Sequence, residues 1–201
     1  MIRTSRQSSK INRMAVTALL SAAVMALQII SCFVKIGQVN ITLALTPIIV
    51  GGALYGVGTG AFLGAVFGLT TVIAGYFGWD GGTVVFLAGQ NAFATILTCF
   101  LKAIAAGAAA AAVYKAVEKA SRNTIAATVT ASVVCPVVNT AVFVAMMALF
   151  FLSTLNSWAN GANMMYYVLF GLCGVNFLIE LTVNLVLSSA VNQIIRSRRK
   201  Q

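Results

Sequence analysis

ITLALTPIIVGGALYGVGTGAFLGAVFGLTTVIAGYF, residues 41–77, is an unbroken run of 37 residues without one charged side chain. A helix crosses the hydrocarbon core of a bilayer in about 20 residues. The run is therefore too long for one crossing. Its glycine-rich centre, Tyr55-Gly56-Val57-Gly58-Thr59-Gly60, is the natural place to turn. The division predicts spans near 41–55 and 57–77, and further apolar runs predict others near 13–34, 89–117, 124–152 and 165–194. Six spans bring both basic ends of the chain to one side of the membrane, whereas an odd number would strand one of them outside.

The rest of the composition agrees with lipid as the solvent. Sixty per cent of the 201 residues are hydrophobic and 8% are charged, and the mean hydropathy is +0.97, which excludes a water-soluble domain of this length. The expected architecture is all-α, one integral membrane domain over residues 1–201. The net charge of +10 is not a nucleic-acid footprint, because the basic residues form no stripe with interleaved aromatics. Instead Arg3, Arg6, Lys10 and Arg13 precede the first span, Lys115, Lys119 and Arg122 sit mid-chain, and Arg196, Arg198, Arg199 and Lys200 close it. Segments 35–40, 78–88 and 153–164 carry only Lys35 and Asp80. The positive-inside rule then predicts cytoplasmic N and C termini and a multi-pass protein of the cell membrane. The run Met14 to Val34 has the length of a span, so it reads as an uncleaved first helix rather than a signal peptide.

No histidine is present, and Cys32, Cys99, Cys135 and Cys173 lie far apart inside apolar runs, so neither a metal site nor a cofactor is expected. The cysteines read as small packing residues. Tyr76, Phe77, Trp79, Trp158, Tyr166 and Tyr167 map to the outer rim as an interfacial belt. Trp79 and Trp158 also share their loops with Gly81, Gly82 and Gly161, a composition that suits a lid over a ligand.

Small residues recur by fours as Gly56, Gly60, Gly64 and Gly68 in the third span and as Ala18, Ala22 and Ala26 in the first. Membrane helices associate through such faces; packing inside the protein is favoured for the glycines, and a partner protein is equally plausible for the alanines. The alanine tract of the fourth span, around Ala103 to Ala112, reads as a smooth docking surface or simply a permissive helix. Polar stripes mark the second half of the chain: Asn91, Thr95, Thr98 and Lys102; Thr128, Ser132, Cys135 and Asn139; and Asn176, Glu180 and Asn184. A charge in mid-bilayer costs roughly 2.5–3.5 kcal/mol on insertion scales, so Lys102 and Glu180 are expected to pair or to face a cavity. Interhelical hydrogen bonding explains the deeper residues as well as a cavity does, whereas Gln90, Asn91, Asn160, Asn163 and Asn176 fit a substrate cavity open to the outside better. The substrate-binding candidates are Trp79, Gln90, Asn91, Thr95, Asn139, Trp158, Asn163, Asn176 and Glu180.

With these features in place, the chain resembles the substrate-binding S components of energy-coupling factor (ECF) transporters. Thr17-Ala18-Leu19-Leu20-Ser21-Ala22 is similar to that family's first-helix alanine motif. Ile41 to Pro47, leading into Gly51-Gly52-Ala53-Leu54-Tyr55-Gly56 and Gly60-Ala61-Phe62-Leu63-Gly64, is similar to its second and third spans. The resemblance implies that Ala18, Ala22 and Ala26 dock on a transmembrane coupling protein working with two cytoplasmic ATPases. It also implies that helices four to six hold a vitamin or related micronutrient, captured outside under the first loop and released inside by toppling of the whole component. The chain has no phosphate-binding Gly-x-x-x-x-Gly-Lys-Ser/Thr motif, as a subunit that borrows its ATPases would not. The main rival is a stand-alone secondary transporter using Glu180 as a proton site, although no inverted repeat is evident. A non-transport scaffold is a second rival, and an intramembrane enzyme lacks any nucleophile with a recognisable base.

Overall fold

The computed structural model describes residues 2–36, 39–40, 42–161, 163, 166–172 and 174–199. Among the described residues the regular structure is helical apart from one two-residue antiparallel bridge, β1 (Lys35–Ile36) with β2 (Val39–Asn40). The helices are α1 (Ile2–Cys32), α2 (Leu45–Tyr55), α3 (Val57–Tyr76), α4 (Thr83–Ser121), α5 (Thr124–Phe150), α6 (Leu152–Ala159) and α7 (Gly174–Arg199), with a π-helical stretch at Tyr167–Leu172 before the last. Among the described residues, five helices are long and apolar enough to cross a membrane: α3, α4, α5, Lys10–Cys32 within α1 and Phe177–Ser197 within α7.

The expected second span is shorter than a full crossing. Its helix, α2, has 11 residues, about 16 Å at 1.5 Å per residue, roughly half of the ~30 Å hydrocarbon core. Pro47 explains the late start. It is the third residue of α2, where its missing N–H is harmless, but continuing the helix toward Ile41 would drive the proline ring into the carbonyl of Leu43. Turn chemistry ends the helix where the glycines predict. Gly56 alone separates α2 from α3 and has φ +93°, a conformation that glycine adopts without strain.

The contact between α3 and α4 is made backbone to backbone. A Cβ on Gly60 would collide with the carbonyl of Gly107, one on Gly64 with that of Ala103, and one on Gly68 with that of Cys99. Each step of four residues up α3 is a step of four down α4, the register of an antiparallel pair whose small residues face one another. Ala103, Ala106, Gly107, Ala110 and Ala111 are all buried, so one face of the alanine tract is internal packing, while Ala105, Ala108 and Ala109 are half-buried and Ala112 is exposed. Lipid offers no hydrophobic drive between helices, so dispersion contacts at such short separation hold the pair together.

Three contacts place helix ends together. Arg13 donates from Nη2 to Thr59 Oγ1 at 3.0 Å, the Lys115 ammonium stands against Gly56, and Arg196 donates from Nε to Thr124 Oγ1 at 3.1 Å. The basic starts and ends of α1, α4, α5 and α7 therefore gather at one end of the bundle. The far end carries α6 and the loop over 77–82. The sequence reading does not predict α6, which lies in the segment assigned there to an outer loop.

Gly64→Leu is expected to destabilise the protein by more than about 2 kcal/mol, because the obstacle is a backbone carbonyl that cannot give. Gly58→Ala, where a Cβ meets nothing within 4 Å, should leave the melting temperature in detergent unchanged or slightly higher. Equal melting of the two variants would show that α3 and α4 are not in this register.

Candidate functional site

Because α2 starts late, Thr42 and Leu43 run non-helically beside span-forming helices, and Thr42 is buried. Non-helical backbone at membrane depth must have its polar groups satisfied by protein. Glu180 of α7 does this for Thr42, whose N–H donates to Oε1 at 2.8 Å. Ser31 of α1 accepts from the N–H of Leu43 at 3.0 Å while donating to the carbonyl of Leu27 at 2.7 Å. Ala44, at the N-cap, contributes no side-chain cap. One turn below Glu180, Asn184 donates to the Glu180 carbonyl at 2.8 Å and accepts from the Thr46 hydroxyl at 3.3 Å. α1, α2 and α7 are thus tied together through polar groups where the chain between α1 and α2 enters the bundle.

Lys102 of α4 lies beside this junction. Its ammonium is 5.1 Å from the centroid of Phe143 on α5 and 5.9 Å from that of Phe67 on α3. It is near enough to act electrostatically on Glu180, yet among the described residues the two form no ion pair. Direct pairing, one of the sequence expectations, is not found among the described residues, and Glu180 Oε1 instead accepts from the Thr42 N–H. On α5, Asn139 lies one turn before Phe143 and Cys135 one turn before Asn139, and Cys135 is within electrostatic reach of Glu180. The Asn139 Oδ1 and Ser132 Oγ atoms are buried without a hydrogen-bond partner. α5 also carries Pro136 mid-helix, which removes the bond to the Ser132 carbonyl. α4, α5 and α7 thus each bring a polar side chain, Lys102, Asn139 and Glu180, into a largely apolar core that also holds the entry to α2.

The other sequence candidates lie elsewhere. Asn91 has extended backbone, φ −156° and ψ 95°, and breaks α4 into two pieces. Its side chain caps the second piece, accepting from the N–H of Ala94 at 3.0 Å. The hydroxyl of Thr95 donates to the Asn91 carbonyl at 2.9 Å and that of Thr98 to the Ala94 carbonyl at 2.7 Å, so both threonines are satisfied within their own helix. Gln90 accepts from the Thr154 hydroxyl of α6 at 2.6 Å, and nearby Trp158 stacks on Phe86 with centroids 6.2 Å apart. Trp79 stacks on Phe77 at 5.6 Å, while the adjacent Asp80 caps α4 by accepting from Gly82 and Val84 at 2.9 and 2.7 Å. Asn163 is exposed and accepts from the Tyr166 N–H at 3.4 Å. Trp79, Gln90, Trp158 and Asn163 lie at the far end, whereas Thr95 and Thr98 are buried along α4 between it and Lys102. Asn176 falls on α7, but its side chain lies outside those described, as does the whole of Cys173.

Ala18, Ala22 and Ala26 are exposed on α1, among exposed Leu19, Met25, Ile29 and Ile30. The opposite face of α1 is buried through Val16, Val24, Gln28 and Ser31. Sequence reasoning missed Thr42, Thr46 and Ser31, for which Pro47 was the available signal: it marks a helix start inside an apolar run. It also missed that the stripe on α7 continues by fours through Ser188 and Asn192, both buried. No group of three or more metal-ligating side chains comes together among the described residues.

Glu180→Ala is expected to lower stability by about 2 kcal/mol, since it orphans the buried Thr42 N–H. Glu180→Gln, whose amide oxygen can still accept, should keep most of that stability. Identical melting curves for both variants would remove Glu180 from the role of anchor.

No curated protein matches this sequence. Residues 12–191 match the family described as "ECF transporter, substrate-specific component". That match takes in every helix that frames the polar interior. The chain therefore belongs to the substrate-specific components of ECF transporters, and is a multi-pass plasma-membrane subunit that binds substrate.

Proposed function

We propose that this chain captures a vitamin or related micronutrient from outside and delivers it inward, acting with a transmembrane coupling protein and two cytoplasmic ATPases. The observation that carries this reading is the polar interior at the meeting of α4, α5, α7 and the α2 entry segment. Asn139 Oδ1 and Ser132 Oγ on α5, buried without a hydrogen-bond partner like Gln28 Oε1 and Asn192 Oδ1 elsewhere, are polar atoms that a substrate would meet in this reading. Within this reading Lys102, Asn139 and Glu180 line the substrate chamber, and the rim residues Trp79, Gln90, Asn91, Trp158 and Asn163 guard its outer approach. In this reading the first outer loop serves as the lid, hinged where Thr42 meets Glu180. The basic end faces the cytoplasm, in keeping with the positive-inside rule. The exposed face of Ala18, Ala22 and Ala26 is the docking surface for the coupling protein, because small side chains admit a second helix at close range.

Copurification tests the docking surface. Ala18→Leu combined with Ala22→Leu should abolish assembly with the coupling protein and ATPases while leaving the isolated subunit folded. Assembly unharmed by that double change would rule the surface out. Uptake by vesicles that lack any ATPase, lost on Glu180→Gln, would instead favour a stand-alone transporter with Glu180 as its proton site.

A further inference from the structure

The end of the bundle where the basic helix termini gather presents Lys10 and Arg13 on α1, Lys115, Lys119 and Arg122 at the close of α4, and Arg196 on α7, all of them exposed. Against them stands one carboxylate, Glu118, which accepts from the Tyr114 hydroxyl at 3.3 Å. It offsets one of these charges at most. The other acidic side chains of the sequence are Asp80 and Glu180. Asp80 caps α4 at the far end, and Glu180 is held in the core by Thr42.

Two of the cations converge on the turn between α2 and α3. Arg13 donates from Nη2 to Thr59 Oγ1 at 3.0 Å and stands 5.5 Å from the centroid of Tyr55. Both partners are neutral, so they fix the guanidinium without cancelling its charge. Among the described residues no other acceptor meets its remaining N–H groups. From α4, Lys115 brings its ammonium against Gly56, where a Cβ would collide with it. Among the described residues neither cation is ion-paired. Gly56 and Thr59 are three residues apart, so both charges reach the first turn of α3, a pitch of about 5.4 Å. Ile11 and Met14, next to these cations on α1, and Val57 of the turn itself are exposed apolar side chains.

We propose that this turn binds the headgroup of an anionic phospholipid from the adjoining leaflet. The phosphodiester accepts from the Arg13 N–H groups that Thr59 leaves free, in the forked geometry that guanidinium and phosphate share. Lys115 adds a second positive charge beside the same turn. A turn that joins two membrane helices lies where the hydrocarbon core ends, at the depth of the headgroups. The acyl chains cover Ile11, Met14 and Val57, which a free phosphate ion would leave bare. A zwitterionic lipid carries its own ammonium beside its phosphate and gains less from the two cations. The site is at the basic end, apart from Asn139 and Glu180, and does not depend on the capture reading.

The test uses the full chain, delipidated in detergent and titrated with dioleoyl phosphatidylglycerol or dioleoyl phosphatidylcholine. Binding is followed by native mass spectrometry in about 0.3 M ammonium acetate, where a Debye length of roughly 6 Å screens diffuse attraction. Phosphatidylglycerol should bind about 10-fold or more tightly than phosphatidylcholine. Arg13→Gln and Lys115→Gln should each cut that preference about 5-fold, the change expected for one basic residue at a charged surface, and together they should remove it. Lys119→Gln combined with Arg122→Gln should change it less than about 2-fold. Inorganic phosphate in large excess should not displace the lipid. No preference in the parent chain, or a preference that survives Arg13→Gln with Lys115→Gln, overturns the assignment. Equal loss in the Lys119 and Arg122 pair also overturns it, in favour of a diffuse field, and displacement by inorganic phosphate overturns it in favour of a soluble-ion site. If losing the Arg13–Thr59 bond unfolds the double variant, Lys115→Gln decides alone, and a preference unchanged by it overturns the proposal.

Discussion

The hydrogen bond from the Thr42 N–H to Glu180 Oε1, 2.8 Å long, is the constraint on which the rest of the arrangement depends. A membrane helix normally satisfies its own backbone, and a chain that stops being helical inside the bundle exposes donors that lipid cannot satisfy. Pro47 stops α2 from extending outward, so the donors of Thr42 and Leu43 must be met by side chains. Glu180 from α7 and Ser31 from α1 meet them. Two helices remote in sequence are thereby fixed to the entry of a third. A buried carboxylate that is otherwise hard to justify becomes part of the scaffold.

The two halves of the protein are held by different physics. α3 and α4 are joined by close backbone approach, with Gly60, Gly64 and Gly68 set against Gly107, Ala103 and Cys99, a contact that is rigid because no side chain in it can rearrange. The entry to α2 meets α7 through a few hydrogen bonds that can be exchanged for others, while Leu45, Ile48 and Ile49 of α2 share the apolar core with Val191 and Ile195 of α7. A subunit that must open to take in a substrate needs both kinds of contact: a fixed frame, and a seam whose polar bonds can be exchanged. The seam runs beside Lys102, which stands on the rings of Phe67 and Phe143. The frame leaves the alanine face of α1 turned outward.

Much of the fold was legible because lipid reduces it to lengths and punctuation. The uncharged run over 41–77 had to turn, and it turns at Gly56, where φ is positive. The basic clusters marked helix ends, and the four-residue spacing of the glycines marked a packing face. The site was less legible, for three physical reasons. Threonines spaced by three or four suggested a shared polar interior, but Thr95 and Thr98 bond to carbonyls four residues back in their own helix, as a hydroxyl in lipid readily does. Asn91, by its spacing a member of that stripe, instead breaks α4 and caps the second piece of the helix. Whether Lys102 and Glu180 pair depends on the register between helices and on a third group, Thr42, which spacing along one chain does not reveal. Pro47 held the clue to that third group, since a proline inside an apolar run marks a helix start and hence backbone donors in need of partners.

The most direct measurement is a structure of the subunit, purified from vitamin-rich medium, at a resolution that reveals a bound small molecule. The expected result is density for one molecule enclosed between α4, α5 and α7, within hydrogen-bonding distance of Asn139 and beneath the segment that carries Thr42. Density confined to the rim beside Trp79 and Trp158, with the interior around Asn139 closed and dry, would contradict the account.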